Sequence, residues 1–193
     1  MRIEQRQPTC THIYIDGISG GKEFWCLFRS DVHHDSKHCD RNLEKKHLDE
    51  AVEKQGLIFD LGDAYDAMQG VGDRRGSKSS IDPEYNADNY GDKLVDKYVD
   101  FLEPYTKNIA LMGLGNHETS FRKHKETNLT ERTIRRLNDK GGNIMYGHYA
   151  GYIVFHISHN IENQSYERYV VYYHHGVRRV VPRYKRSDTT QSS

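Results

Sequence analysis

Residues 57–66 read Leu-Ile-Phe-Asp-Leu-Gly-Asp-Ala-Tyr-Asp, and much of the architecture can be worked out from them. Residues 57–61 form a short, largely apolar run that is typical of a buried strand. The run ends at Gly62, and the carboxylates Asp63 and Asp66 follow at once. In α/β proteins the functional loops lie beyond the carboxyl ends of the strands, so these acidic residues are the first candidates for a functional site.

Segments on either side of this strand alternate between helical and strand patterns. Residues 40–55 place apolar side chains at helical spacing before Gly56, which predicts a helix that ends at that glycine. Residues 90–102 repeat the helical pattern, and residues 108–114 form another buried strand. The aromatic-rich residues 23–29 predict a further well-buried strand ahead of the first helix. This order of strands and helices predicts an α/β fold built in layers.

Strand patterns also occupy both ends of the chain. Residues 11–16 alternate apolar and polar side chains, as expected for a strand with one buried face. After a predicted helix over residues 128–140, strand patterns cover residues 144–149, 152–158 and 168–173.

Four polar clusters each follow directly on a predicted strand. They are Asp31 with His33, Asp63 with Asp66, Asn116 with His117, and His174 with His175. Loops that follow strands can meet at one edge of a sheet, where these clusters would gather oxygen and nitrogen donors. Such a mixed set suits divalent ions of Mn, Fe, Zn or Ni, and a cation would also offset the repulsion between the carboxylates.

The same clusters, in the same order, resemble the motifs of the calcineurin-like metallophosphoesterases, including phage and bacterial members of that family. The blocks are Asp31-x-His33, Gly62-Asp63-x-x-Asp66, Gly115-Asn116-His117-Glu118 and His174-His175-Gly176. The resemblance implies a layered β-sandwich flanked by helices, with two divalent metal ions as cofactors. It also implies hydrolysis of a phosphomonoester or phosphodiester, in which the ions acidify the attacking water and stabilise the charge of the phosphate.

The resemblance implies a role for each matching position. The implied metal ligands are Asp31, His33, Asp63, Asn116 and His174, with His175 as the alternative to His174. Asp63 would bridge the two ions. His117 would protonate the leaving group as general acid, and Asp66 would orient that histidine. Glu118 is expected to brace its loop rather than to bind metal.

Two departures from the family pattern bear on substrate and activity. Asp66 is followed by Ala67-Met68, where the protein phosphatases of the family resemble one another in having Arg-Gly, so a phosphoprotein substrate is not expected. The Gly-His-x-His block that usually completes the site is missing, because no histidine follows His175. We therefore interpret residues 1–176 as an incomplete phosphoesterase domain and residues 177–193 as an irregular basic and polar tail, produced by truncation or by a frameshift.

The missing block supports a second hypothesis of a different class. The chain would then be a catalytically impaired remnant that binds metal or nucleic acid without turnover. Arg74, Arg75 and Lys78 lie in a polar loop and could bind the phosphates of a nucleotide or a nucleic acid. A solvated loop is the simpler interpretation of the same residues.

Composition excludes several other classes of protein. Lys and Arg total 28, as do Asp and Glu, so the chain is not a polycation built to coat nucleic acid. The three cysteines form no C-x-x-C pair, and the cluster His33, His34, His38 and Cys39 matches no standard zinc motif. No apolar stretch approaches the roughly 20 residues of a membrane helix. These features predict a soluble, cytoplasmic protein without membrane partners, and they do not indicate an oligomeric state.

Overall fold

The computed structural model of the chain describes residues 1–18, 23–67, 79, 81–158 and 166–176. These residues form two four-stranded sheets and four α-helices. The strands are β1 (Arg2–Gln7), β2 (Cys10–Asp16), β3 (Cys26–Arg29), β4 (Leu57–Asp60), β5 (Ile109–Met112), β6 (Met145–Tyr146), β7 (Ala150–Ser158) and β8 (Tyr166–His174). The helices are α1 (Arg41–Glu53), α2 (Tyr90–Leu102), α3 (Asn116–Lys125) and α4 (Leu129–Asp139).

The two sheets differ in strand direction. In the first sheet, ordered β1-β2-β7-β8, β2 and β7 run parallel, while β1 and β8 pair antiparallel with their neighbours. In the second sheet, ordered β3-β4-β5-β6, every pairing is parallel. The carboxyl ends of β3, β4 and β5 therefore lie at one edge. The segments that carry Asp31, Asp63 and Asn116 begin at this edge.

An apolar cluster joins the two sheets face to face. Its buried members are Ile13, Ile15, Leu57, Phe59, Ala110, Leu111, Ile153, Phe155 and Tyr173. Alternation along β4 explains which residues take part, because Leu57 and Phe59 pack toward the first sheet whereas Ile58 packs with the helices. β4 and β5 are buried at every position, as expected for parallel strands that are covered on both faces.

The helices cover the other face of the second sheet. A second buried cluster joins them to it; this cluster includes Leu48 and Ala51 of α1, Leu94, Val95 and Tyr98 of α2, Leu129, Ile134 and Leu137 of α4, and Ile58, Ile109 and Met112 of the sheet. The described part of the chain thus has three layers, which are the first sheet, the second sheet and the helices. Each fully buried side chain of this kind contributes about 1.5–3 kcal/mol, so the core holds the edge of the second sheet firmly in place.

A buried ionic network connects β3 to the helical layer. Arg29 donates to Glu44 at 2.8 Å and to Asp60 at 2.9 Å, and its Nη2 lies 2.7 Å from the hydroxyl of Tyr98. His34 Nδ1 lies 2.7 Å from the second carboxylate oxygen of Glu44. Burial raises the pKa of Glu44, but the bond to His34 and the charge of Arg29 outweigh burial and leave that pKa below its ordinary value. The network fixes the segment that leads into the candidate site.

The prediction of an α/β fold is confirmed by the two sheets and four helices. α2 occupies residues 90–102 as predicted, whereas β1 and α3 were not expected from the sequence patterns. β3 begins at Cys26 and is only partly buried, because it lies at an edge of its sheet. The prediction that Gly56 caps α1 is wrong. The left-handed residue there is Gln55, with a φ of 52°.

Several predictions fall on residues that the structure does not describe. Arg74, Arg75 and Lys78 lie outside the described residues, and so does the predicted tail over residues 177–193. The division of the chain at residue 176 stays a prediction. Among the described helices, none has both the length and the apolar character needed to cross a membrane.

Candidate metal centre

The candidate site lies where the segments after β3 and β4 run side by side. The amide of Asp31 donates to the carbonyl of Gly62 at 3.0 Å, and the amide of His33 donates to the carbonyl of Asp63 at 3.0 Å. Asp31, His33 and Asp63 all have left-handed backbones, with φ of 57°, 49° and 52°. Such a conformation costs a non-glycine residue about 1–3 kcal/mol, and residues under this strain cluster at functional sites.

Glu118 braces the loops around Asp63, as expected from the sequence. Its carboxylate is almost fully buried and accepts the amides of Gly115 at 2.9 Å, Asp63 at 3.1 Å and Tyr65 at 3.0 Å. Burial raises the pKa of Glu118 to about 8. One side chain at the start of α3 therefore fixes the backbone on both sides of the candidate ligand Asp63.

Two glycines allow the loops after β4 and β5 to approach each other closely. A Cβ atom on Gly115 would lie 1.9 Å from Oδ1 of Asp63. Gly62 has a φ of +112°, and a Cβ atom there would lie 2.6 Å from the amide nitrogen of Gly115. The absence of side chains at these positions makes room for the carboxylate of Asp63, which is the central group of the site.

Two groups of side chains at this edge could each hold a metal ion. In one group, donor atoms of Asp31, Asp63 and His175 lie within 4.8 Å of one another. In the other, donor atoms of His33, Asp63 and His117 satisfy the same limit. Asp63 belongs to both groups, and it is only 2% exposed. A single buried carboxylate thus stands between two sets of nitrogen and oxygen donors.

The contacts of His175 leave one of its ring nitrogens facing carboxylates. Nδ1 lies 3.1 Å from the carbonyl of Leu61 and donates a hydrogen bond to it. Nε2 then faces Asp63 Oδ2 at 3.1 Å and Asp31 Oδ1 at 3.9 Å. In a neutral imidazole this Nε2 is an acceptor, and two acceptors face each other favourably only when a proton or a cation lies between them. The donor set therefore fits a metal ion.

The second group contains a buried nitrogen without a well-formed hydrogen bond. His33 Nδ1 is buried and makes no well-formed hydrogen bond, although Asp66 Oδ1 lies at ion-pair distance from it, 3.4 Å away. The carboxylate of Asp66 raises the pKa of His33. The His33 ring meets the His117 ring edge-on, with centroids 4.5 Å apart. An unpaired buried donor or acceptor is costly, and a ligand at this point would satisfy it.

His117 is held from two sides. Its backbone amide donates to Asp63 Oδ1 at 2.8 Å, and its ring Nδ1 lies 2.6 Å from the backbone carbonyl of Asp66. Since a carbonyl only accepts, Nδ1 carries a proton and Nε2 is the atom left toward the cluster, 3.9 Å from Asp63 Oδ2. The carboxylate of Asp66 lies farther from Nδ1, at 3.4 Å, so Asp66 orients His117 mainly through its main chain.

The structure brings together six of the residues predicted for the site, and it separates others. The six are Asp31, His33, Asp63, Asp66, His117 and His175. Asn116 is the first residue of α3 at the same edge, and its side chain is exposed. His174 is not in either group of donors; it is an exposed residue of β8 whose ring lies edge-on to Tyr149 at 5.5 Å. The geometry therefore favours His175 over His174 as the ligand from β8.

A further group of donors lies outside this site. His34, Cys39 and Glu44 also bring donor atoms within 4.8 Å of one another. Glu44 is already paired with both His34 and Arg29, so its charge is compensated. Burial raises the pKa of Cys39 to about 11, which opposes formation of the thiolate that would bind a metal. We interpret this group as part of the buried ionic network.

One carboxylate that supports the site was not identified from the sequence. Asp35 is buried and accepts the backbone amides of Asp66 at 2.6 Å and Ala67 at 3.0 Å. The hydroxyl of Tyr90 donates to it at 2.8 Å. No sequence pattern marks Asp35, because most of its partners are backbone groups from a distant loop. Its position two residues after His33 was the one available signal.

The chain was compared with known protein families, with curated proteins and with solved structures, and no match was found in any of the three comparisons. Any functional assignment therefore depends on the chemistry of the residues around Asp63.

Proposed function

We propose that this protein is a metal-dependent phosphoesterase of the calcineurin-like type, which hydrolyses a phosphomonoester or a phosphodiester. The observation that carries the proposal is the position of Asp63, which belongs at once to two groups of donors that could each hold a metal ion. A carboxylate shared in this way is the arrangement that a two-metal site requires of its bridging ligand. The motif order seen in the sequence supports the same function.

The two ions would be held by residues that already lie close together. Asp31 and His175 would complete the first set around Asp63, and His33 would belong to the second. Asn116 begins α3 beside His117 and is proposed as a further oxygen ligand. Oxygen and imidazole donors without thiolate suit Mn, Fe, Zn or Ni. When bound, the ions supply Lewis acidity, which lowers the pKa of a water molecule and offsets charge on the phosphate.

His117 is proposed as the general acid. Its Nδ1 donates to the carbonyl of Asp66, so the ring is fixed in one orientation with Nε2 toward the cluster. In the imidazolium form Nε2 carries the proton that the leaving oxygen needs, and after transfer the neutral ring keeps its proton on Nδ1. Asp66 Oδ1 lies 3.4 Å from Nδ1 of the same ring. General acid catalysis of this kind contributes about 10²–10⁴-fold to rate.

The layers of the structure support the same proposal. We infer that the two packed sheets and the helical layer correspond to the layered β-sandwich of the calcineurin-like family. The second sheet supplies three of the ligand-bearing loops, and the segment that follows β8 of the first sheet supplies His175. Ala67-Met68 after Asp66 argues against phosphoproteins as substrates, and Arg74, Arg75 and Lys78 make a nucleotide or a nucleic acid a reasonable class.

The proposal is tested by hydrolysis of an aryl phosphate diester and an aryl phosphate monoester with Mn²⁺. We expect turnover by the full chain, at least 10²-fold slower turnover for His117→Ala, and none above background for Asp63→Asn. His124→Ala on the same helix and Asp100→Asn on α2 are matched controls, because both residues are exposed. Turnover that survives Asp63→Asn would contradict the proposal.

A second candidate function is metal binding without turnover. The observation that favours it is the composition of the second donor group, in which His33 and Asp63 are joined only by His117, the residue that the first proposal needs as general acid. Elemental analysis of the purified protein separates the two candidates. Bound metal that is lost in Asp63→Asn, together with no hydrolysis of either ester, would support the second candidate over the first.

A further inference from the structure

Asp35 is a buried carboxylate with no role in the motif resemblance. It is 1% exposed, and it lies beneath the loop that carries Asp66. Three donors converge on it. They are the amide of Asp66 at 2.6 Å, the amide of Ala67 at 3.0 Å and the hydroxyl of Tyr90 at 2.8 Å.

These hydrogen bonds fix the main chain at the point where it contacts His117. Ala67 has a left-handed backbone with a φ of 51°, which an alanine adopts only when its surroundings hold it there. Asp35 stabilises this backbone conformation by accepting hydrogen bonds from the amides of both Asp66 and Ala67. The carbonyl of Asp66 in turn accepts from Nδ1 of His117 at 2.6 Å. A continuous series of contacts therefore runs from Tyr90 through Asp35 and Asp66 to the imidazole ring.

We propose that Asp35 is a positioning residue for His117, which acts through the backbone of Asp66 and is itself supported by Tyr90. Its effect is to keep the proton of the neutral imidazole on Nδ1 and to keep Nε2 toward the cluster. The catalytic meaning of this role depends on the proposed function. The effect on the tautomer of His117 does not.

A carboxylate is the side chain that suits this position. Its two oxygens are acceptors only, so Oδ1 can accept one backbone amide while Oδ2 accepts the next amide and the phenol. An asparagine would present an NH₂ group to one of these donors and lose at least one hydrogen bond. The change Asp35→Asn therefore weakens the hydrogen bonding that fixes the turn, with little change in volume.

The test uses long-range ¹H–¹⁵N correlation spectra of the metal-free full chain at a pH where His117 is neutral. In the wild type we expect a single Nδ1–H tautomer of His117. In Asp35→Asn we expect a mixture of the two tautomers, and in Tyr90→Phe a smaller change in the same direction. Asp40→Asn is the matched control, because Asp40 is exposed and also accepts a backbone amide, from Leu43 at 3.0 Å, but at the start of α1.

Two results would overturn the inference: an Nε2–H tautomer in the wild type, or an unchanged tautomer in both Asp35→Asn and Tyr90→Phe. Tyr90→Phe keeps the test decisive if Asp35→Asn does not fold. With an aryl phosphate and Mn²⁺, kcat of Asp35→Asn should fall between about tenfold and a hundredfold at unchanged KM. A tautomer change in a chain without any turnover would refute the proposed function and leave the positioning role intact.

Discussion

At the residue scale, the side chains of two neighbouring histidines at the end of β8 point to opposite sides, one toward solvent and one toward the candidate site. The strand continues through His174, so side chains alternate there with a period of two. Tyr173 is buried between the sheets, His174 is exposed, and His175 is buried again at the candidate site. The first polar residue after the apolar run is thus on the outer face, and the second is the one that reaches Asp63.

This geometry predicts different effects for two adjacent substitutions. His175→Ala should weaken binding of Mn²⁺ or Zn²⁺ by at least tenfold, because it removes the ring nitrogen 3.1 Å from Asp63 Oδ2. His174→Ala should leave the affinity within about twofold of the wild type. Isothermal titration calorimetry on both variants is the measurement. A loss of affinity in His174→Ala with none in His175→Ala would show that the ligand is the other histidine.

Gly115 gives a second prediction at this scale. Gly115→Ala would place a Cβ atom 1.9 Å from Asp63 Oδ1, so either the carboxylate or the start of α3 must move. We expect a loss of about 1–3 kcal/mol in the free energy of unfolding, as for other overpacked sites. Metal affinity should fall as well, since Asp63 is displaced. Chemical denaturation and calorimetry measure the two effects.

Gly91→Ala is the control for Gly115→Ala. Gly91 lies in the first turn of α2, and a Cβ atom there would meet only the ring of Phe121, at 3.4 Å. The free energy of unfolding of Gly91→Ala should stay unchanged or rise by up to about 1 kcal/mol, because alanine has a higher helix propensity than glycine. Equal behaviour of the two alanine variants would mean that contact between Gly115 and Asp63 does not constrain the site.

At the scale of elements, prediction succeeded where a segment carried a strong periodic pattern. α2 has apolar residues on one face and matches its predicted range, and β4 and β5 are apolar runs covered on both sides. β1 was not predicted because its residues are polar and it is held at the edge of the first sheet by pairing with β2. α3 was not predicted because it begins within the motif and buries little apart from Glu118 and Phe121.

The candidate site was predictable to a similar extent. Asp31, Asp63 and His117 could be placed near one another because each follows a strand of a parallel sheet. Whether His174 or His175 takes part depends on where β8 ends, and strand ends are uncertain by more than one residue in any sequence pattern. Asp35 could not be predicted, since it acts on backbone amides that no residue type identifies.

The end of α1 offers a prediction about an element. Gln55 has a φ of 52°, which costs a residue with a Cβ about 1–2 kcal/mol. Gln55→Gly should remove this strain. Glycine also raises the conformational entropy of the unfolded chain, which offsets part of the benefit, so we expect the free energy of unfolding to rise by up to about 1 kcal/mol. The neighbouring change Gly56→Ala should destabilise the protein, because its Cβ atom would lie 2.8 Å from the carbonyl oxygen of Trp25.

Thermal unfolding of both variants checks this assignment of the helix end. The carbonyl of Trp25 also accepts the amide of Leu57 at 3.0 Å, so displacing it would disturb the start of the pairing between β3 and β4. A variant Gly56→Ala as stable as the wild type, or a less stable Gln55→Gly, would mean that α1 ends differently from the structure described above.

At the scale of the whole molecule, both sheets contribute negative or neutral donors to one small volume. Asp31, Asp63 and Asp66 come from loops of the second sheet, the buried Glu118 accepts the amide of Asp63, and His175 follows β8 of the first sheet. Three carboxylates near one another repel, and a cation among them would offset that repulsion. A bound cation would therefore stabilise the contact between the sheets as well as the site.

Metal binding should accordingly raise the stability of the entire fold. A ligand that binds only the folded state at 100 times its Kd adds about 2.7 kcal/mol, which for a chain of this size shifts Tm by about 5–10 °C. We expect this shift when Mn²⁺ or Zn²⁺ is added to chelator-treated protein, and its disappearance in Asp63→Asn. Asp100→Asn should retain the full shift, because Asp100 is exposed on α2. If Tm of the wild type does not respond to either ion, the donors around Asp63 do not form a metal centre, and the agreement between motif order and geometry has another cause.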